Sequence, residues 1–69
     1  MELTDTERIV LEELHDGIGD DGSMEYRLRG VADVQLTLER LREKGLAGFI
    51  GSQRMRVWHL TEKGKELFG

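Results

Sequence analysis

Two arginines separated by one residue lie in a segment whose composition is typical of a β-hairpin. Residues that alternate along a strand share a face, so the guanidinium groups of Arg54 and Arg56 are expected to project together, beside Ser52 and Gln53. Guanidinium groups bind phosphate oxygens well. The pattern predicts contacts with a polyanion. The alternative is that these charges only protect an exposed strand edge from aggregation.

A second candidate site lies on one face of a segment with helical periodicity. At roughly 100° per residue, Val34, Leu38 and Leu41 form an apolar stripe. The opposite face carries Leu36, Glu39, Arg40 and Glu43, with Gln35 and Thr37 at its flanks. Amide and guanidinium groups pair with the edges of nucleobases, and leucine can contact a thymine methyl group. The candidate binding residues are therefore Gln35, Leu36, Thr37 and Arg40. The alternative is an ordinary solvated helix surface.

The residue types needed for catalysis or metal binding do not form a site. The chain has no cysteine, and His15 and His59 lie in different elements without the spacing of metal ligands. Segment 17–22 matches Gly-x-Gly-x-x-Gly, but it has no preceding strand and its two acids would repel a pyrophosphate. The carboxylates are expected on solvated surfaces. We therefore expect no enzyme, no cofactor and no metal site.

Length and charge define the class of protein further. A chain of 69 residues predicts one domain, residues 1–69. The net charge is −4, but residues 1–25 carry nine acids and one base, whereas residues 26–69 carry nine bases and five acids. Such polarity suggests that one side meets a polyanion. The apolar stretches are far shorter than the roughly 20 residues of a membrane span, so we expect a cytoplasmic protein.

Local signals predict the elements that position these candidate residues. We predict a first helix that is capped by Thr4 and stopped by Gly17, with a loop over 16–22. A short helix capped by Ser23 over about 24–29 and a helix over 33–44 follow. Strands over 46–50 and 54–60, joined by 51–53, precede a last helix capped by Thr61. Trp58 and Phe49 are expected in the core rather than as a platform on which bases stack. The fold class is α+β.

The order of these elements resembles a known family. Leu38-Glu39-Arg40-Leu41-Arg42-Glu43-Lys44-Gly45-Leu46 and Leu60-Thr61-Glu62-Lys63-Gly64-Lys65-Glu66-Leu67 are similar to segments of the winged helix-turn-helix domains of bacterial and archaeal transcription regulators. The resemblance implies a three-helix core, a β-hairpin wing and a short C-terminal helix. It also implies a recognition helix over 33–44 in the major groove of double-stranded DNA, and a wing over 51–56 on the flanking backbone.

The resemblance implies sequence-specific DNA binding as a transcription regulator, carried by Gln35, Leu36, Thr37, Arg40, Gln53, Arg54 and Arg56. A homodimer is plausible because one module offers little reading surface. The alternative is a winged helix that binds another protein, since the chain is acidic and a leucine at the centre of the reading face also suits a protein partner.

Overall fold

The computed structural model describes residues 2–30, 33–52 and 54–69, which form helices and a two-stranded sheet. The elements are α1 (Asp5–His15), α2 (Asp21–Arg27), α3 (Val34–Glu43), β1 (Ala47–Ser52), β2 (Met55–Leu60) and α4 (Glu62–Glu66). The predicted α+β class is confirmed, with the helix, hairpin, helix order of a winged helix.

Helix α1 begins at the predicted cap. The Thr4 hydroxyl accepts a hydrogen bond from the Glu7 backbone N–H at 3.1 Å, and the Glu7 carboxylate accepts one from the Thr4 N–H at 2.9 Å. These bonds satisfy donors that a helix start otherwise leaves without partners. The helix ends as predicted, because Gly17 has φ of 93°, a conformation that side chains disfavour.

Helix α2 begins earlier than the sequence indicated, so the prediction of Ser23 as its cap is wrong. Asp20 is the cap: its carboxylate accepts hydrogen bonds from the Gly22 N–H at 3.3 Å and from the Ser23 hydroxyl at 2.9 Å. Asp20 also forms a β-bridge with Val57. The predicted loop is thus partly helical and is anchored to the sheet.

The hairpin forms as predicted, but its strand boundaries differ: β1 begins one residue later and ends two residues later than predicted, and β2 begins one residue later. Strands β1 and β2 pair antiparallel, and the register places Phe49 opposite Trp58, Gly51 opposite Arg56 and Ser52 opposite Met55. The connection was predicted over 51–53, whereas Gly51 and Ser52 belong to β1. Gln53, a predicted site residue, lies outside the described residues.

The core lies between the helices and one face of the hairpin. Its buried apolar residues are Val10, Leu11, Leu14, Met24, Leu28, Val34, Leu38, Leu41, Leu46, Ala47, Trp58 and Leu60. Trp58 is 2% exposed, which confirms its predicted burial. Phe49 is half-buried, and its ring centroid lies 5.0 Å from that of Trp58. These aromatic rings therefore serve packing in this structure.

An ion pair between a buried carboxylate and a half-buried lysine connects the start of α1 with the end of α3. Glu7 is 2% exposed, and its Oε2 lies 2.6 Å from Nζ of Lys44, the residue that caps α3. The expectation that the carboxylates lie on solvated surfaces is wrong for Glu7. Pairing with Lys44 and the Thr4 N–H lowers the pKa of Glu7 below its usual value, although burial opposes this shift.

Substitution of Glu7 by Gln should lower the free energy of unfolding at pH 7 by about 1–3 kcal/mol. The pKa of Glu7 is lowered in the folded state, so the ionised carboxylate stabilises the fold. This contribution to the free energy of unfolding is complete above the usual glutamate pKa of about 4.3 and is lost as the pH falls through the lower pKa of the folded state. Urea unfolding between pH 7 and pH 3 should therefore show a flatter acid dependence for Glu7→Gln than for wild type. Glu12→Gln, an exposed change on the same helix, is the control, and parallel curves for Glu7→Gln and wild type would contradict the assignment.

Helix α4 packs directly on the segment that precedes β1. The Leu46 carbonyl accepts a hydrogen bond from the Thr61 N–H at 3.1 Å, and the Thr61 hydroxyl donates to the Gly45 carbonyl at 2.6 Å. Gly64 is buried here, and a Cβ at this position would overlap the Leu46 carbonyl oxygen. The close approach of two backbones therefore requires glycine.

Gly64→Ala should destabilise the domain by about 1–3 kcal/mol, since backbone atoms must move to admit the methyl group. Gly22→Ala is the matched control, because a Cβ at Gly22 meets nothing closer than Asp20 Oδ1 at 3.7 Å and alanine favours a helix. Thermal unfolding should show a clearly lower melting temperature for Gly64→Ala and little change for Gly22→Ala. Equal melting temperatures for both variants would refute the packing argument.

Candidate nucleic-acid interface

Helix α3 presents its outward face as the apolar periodicity predicted. Asp33 caps the helix and accepts a hydrogen bond from the Leu36 N–H at 3.2 Å. With Leu38 and Leu41 fully buried, the side chains of Leu36 and Arg40 are exposed, Leu36 to 48%. Two of the four candidate binding residues of this helix are therefore available to a partner.

Thr37 does not belong to the outward face, and the expectation that its side chain is presented to a partner is wrong. It is 4% exposed, and its hydroxyl donates to the Asp33 carbonyl at 2.7 Å. Thr37 follows Val34 by three residues and precedes Leu41 by four, so it extends the apolar stripe. The hydrogen bond to the helix start satisfies the hydroxyl and allows this burial.

The Arg56 side chain turns inward from the wing. Its Nη1 lies 2.9 Å from Glu39 Oε1, its Nε lies 3.3 Å from Asp21 Oδ2, and its Nη2 donates to Gln35 Oε1. We call Asp21, Gln35, Glu39 and Arg56 the junction cluster, because they connect α2, α3 and β2. The expectation that Arg56 projects from the wing together with Arg54 is wrong.

The direction of Arg56 follows from the strand alternation. Arg56 shares a face with Trp58, and at 14% side-chain exposure its guanidinium lies 5.0 Å from the Trp58 ring centroid and 5.2 Å from that of Phe49. Cations are attracted to aromatic faces at this range. The carboxylates of Asp21 and Glu39 supply the opposite charge that a largely buried guanidinium needs.

Gln35 is also engaged within the structure. Its Nε2 donates to Glu25 Oε1 on α2, while its Oε1 accepts from Arg56. Both ends of the amide are therefore paired, and a nucleobase would have to replace these partners. The DNA contacts proposed for Gln35 and Arg56 stay predictions.

The centre of the interface is more acidic than its sequence pattern suggested. Asp21 and Glu39 bind Arg56, and Glu25 accepts a hydrogen bond from Gln35. Arg42 Nη1 lies 3.5 Å from the other oxygen of Glu39. Sequence reasoning placed Glu39 on the outward face but missed its pairing with Arg56 and the presence of Asp21 and Glu25, because α2 and α3 bring these acids to β2 from distant positions. The one available signal was the placement of Arg56 on the same strand face as Trp58.

The wing tip keeps an exposed cation. Arg54 lies at the turn between the strands and is exposed, as predicted. Near it on the outer face of the hairpin, Ile50, Met55 and Val57 are 70%, 78% and 53% exposed. The wing thus combines a solvent-accessible guanidinium with an apolar surface.

The remaining sequence candidates are dispersed in the structure. His15 stacks on Phe68 with ring centroids 4.2 Å apart, and His59 lies in β2. Within residues 2–30, 33–52 and 54–69, no three histidine, cysteine or acidic side chains are arranged to hold a metal ion. Over the same ranges, no helix has the length and apolar character needed to cross a bilayer.

Comparison with solved structures gives a match, whereas comparison with protein families and curated proteins gives none. The crystal structure of a zinc-responsive MarR family member, ZitR from Lactococcus lactis, superposes with a TM-score of 0.81 at 25% sequence identity. The match covers 97% of this chain and 49% of that chain, so this chain spans about half the length of ZitR. Since nearly all of it shares the architecture of that regulator, this chain is a winged helix-turn-helix domain of the kind found in transcription regulators.

Proposed function

We propose that the domain binds double-stranded DNA in a sequence-specific manner as part of a transcription regulator. The observation that carries this proposal is the exposed outward face of α3 in a winged helix that matches a solved regulator. A helix of this kind fits the major groove, and the wing then reaches the flanking backbone. In this arrangement the segment 33–44 reads bases and the segment 51–56 contacts phosphates.

Three exposed side chains supply the first contacts. Arg40 pairs with a guanine edge or a phosphate, Leu36 contacts a thymine methyl group, and Arg54 binds a phosphate from the wing tip. Gln35 contacts an adenine only after its hydrogen bond to Glu25 is broken. No such role is proposed for Thr37, which faces the core.

The proposal extends to assembly and location. A single module buries only about 600–1,000 Å² against DNA, so we propose that two copies act together on one site. We further propose a binding role without catalysis, in the cytoplasm where prokaryotic DNA lies.

Fluorescence anisotropy with duplex DNA of mixed sequence tests the proposal. Affinity should fall steeply between about 50 and 200 mM salt, because bound phosphates release their counterions. Arg54→Ala should weaken binding about equally on all sequences and lower the salt slope by about 1, whereas Arg40→Ala should relax the preference at particular bases. Lys65→Ala removes an exposed cation of α4 and is the matched control. Absence of binding at 50 mM salt would refute the proposal.

The exposed apolar side chains support a second candidate, a winged helix that binds another protein. Tyr26 and Met55 are each 78% exposed, and Leu36 is 48% exposed on the outward face of α3. Apolar patches on a soluble domain often mark protein interfaces. Association through Leu36 would persist at high salt, whereas phosphate-dependent DNA binding would weaken steeply, so the salt dependence separates the two candidates. Leu36→Asp should abolish the association that persists at high salt.

A further inference from the structure

The most specific feature of the interface is the carboxylate of Glu39, which two arginines hold in place. Glu39 Oε1 lies 2.9 Å from Arg56 Nη1, and Oε2 lies 3.5 Å from Arg42 Nη1. The side chain is 41% exposed and belongs to the outward half of α3, between Gln35 and Glu43. The carboxylate therefore has a defined position and still has access to solvent.

We propose that Glu39 is a base-selecting residue that accepts a hydrogen bond from the amino group of a cytosine in the major groove. This inference rests on the proposed DNA binding and deepens it. Acidic side chains accept from cytosine N4, and among base edges in the major groove cytosine presents only a donor. A carboxylate disfavours guanine and thymine, whose O6, N7 and O4 atoms are acceptors, and it prefers cytosine to adenine because the N6 donor of adenine lies beside the N7 acceptor.

The surroundings of Glu39 explain how an acid is tolerated near DNA. An isolated carboxylate would be repelled by the phosphates. Here Arg56 and Arg42 offset the charge of the carboxylate, and each arginine uses one lone pair of one carboxylate oxygen. A carboxylate has about four lone-pair sites, so acceptors remain for a base.

Arg56 acts through Glu39 as a positioning residue. Asp21 and Gln35 bind the other nitrogens of its guanidinium, and the Phe49 and Trp58 rings cover it. These contacts restrict the guanidinium to one place, and the carboxylate is restricted with it. A preorganised acceptor loses little conformational entropy when a base arrives.

The test compares wild type and variants on duplexes that differ at single base pairs around the best site obtained by selection from random sequence. Wild type should prefer cytosine at one position. Glu39→Gln should reduce that preference by about 5- to 150-fold, the range expected for one good base contact. Glu62→Gln removes the same charge and breaks the pair with Lys65 at 3.7 Å, and it should leave base preference unchanged.

A second variant separates base reading from charge. Glu39→Asp keeps the charge but withdraws the carboxylate by one methylene, so the cytosine preference should fall while the salt slope stays as in wild type. Unfolding curves should show that both Glu39 variants remain folded. If wild type binds duplex DNA and the variants keep its base preference, Glu39 is only structural and the inference is wrong. If wild type binds no duplex at 50 mM salt, both the proposed DNA binding and the inference about Glu39 are wrong.

Discussion

A guanidinium on the core side of the hairpin is the constraint on which the arrangement of the wing depends. Arg56 is 14% exposed beside Trp58, and an unpaired charge at such a position would be costly. Asp21 and Glu39 provide the opposite charges from two different helices. The wing is therefore fixed to both helices of the helix-turn-helix unit by one side chain, and its orientation is a property of the folded domain.

A similar pairing operates at the C-terminal end of α3. Lys44 caps the helix and binds the buried carboxylate of Glu7, whose own position is set by the Thr4 cap of α1. The outward face of α3 is thus held near its middle by the junction cluster and at its end by an ion pair. Rigid support of this kind benefits recognition, because base contacts require precise placement.

The charge distribution gives the proposed interface a particular character. Exposed cations lie at its periphery, Arg40 on α3 and Arg54 at the wing tip, whereas carboxylates surround its centre. Phosphate contacts at the periphery provide affinity that does not depend on sequence. An acidic centre penalises most bases, so it favours selectivity over tight binding. Two of these carboxylates, Asp21 and Glu25, belong to the acidic first 25 residues of the chain.

The sequence alone determined those features that depend on neighbours within about four residues. The caps at Thr4, Asp33 and Thr61 and the stop at Gly17 are of this kind, since a side chain and the N–H groups that it binds are close in the chain. The α3 stripe likewise predicted that Leu36 and Arg40 face outward. The family resemblance then supplied the architecture that the elements assemble into.

Only the tertiary structure decided how the candidate site is arranged. Arg56 meets partners 17, 21 and 35 residues away in the chain, and no local pattern reports such a meeting. The cap of α2 is Asp20 rather than the predicted Ser23, and Asp20 also forms a β-bridge with Val57. Thr37 entered the core because a hydrogen bond satisfied its hydroxyl. The common reason is that burial makes an unpaired charge or polar group costly, and the fold determines which partners are within reach.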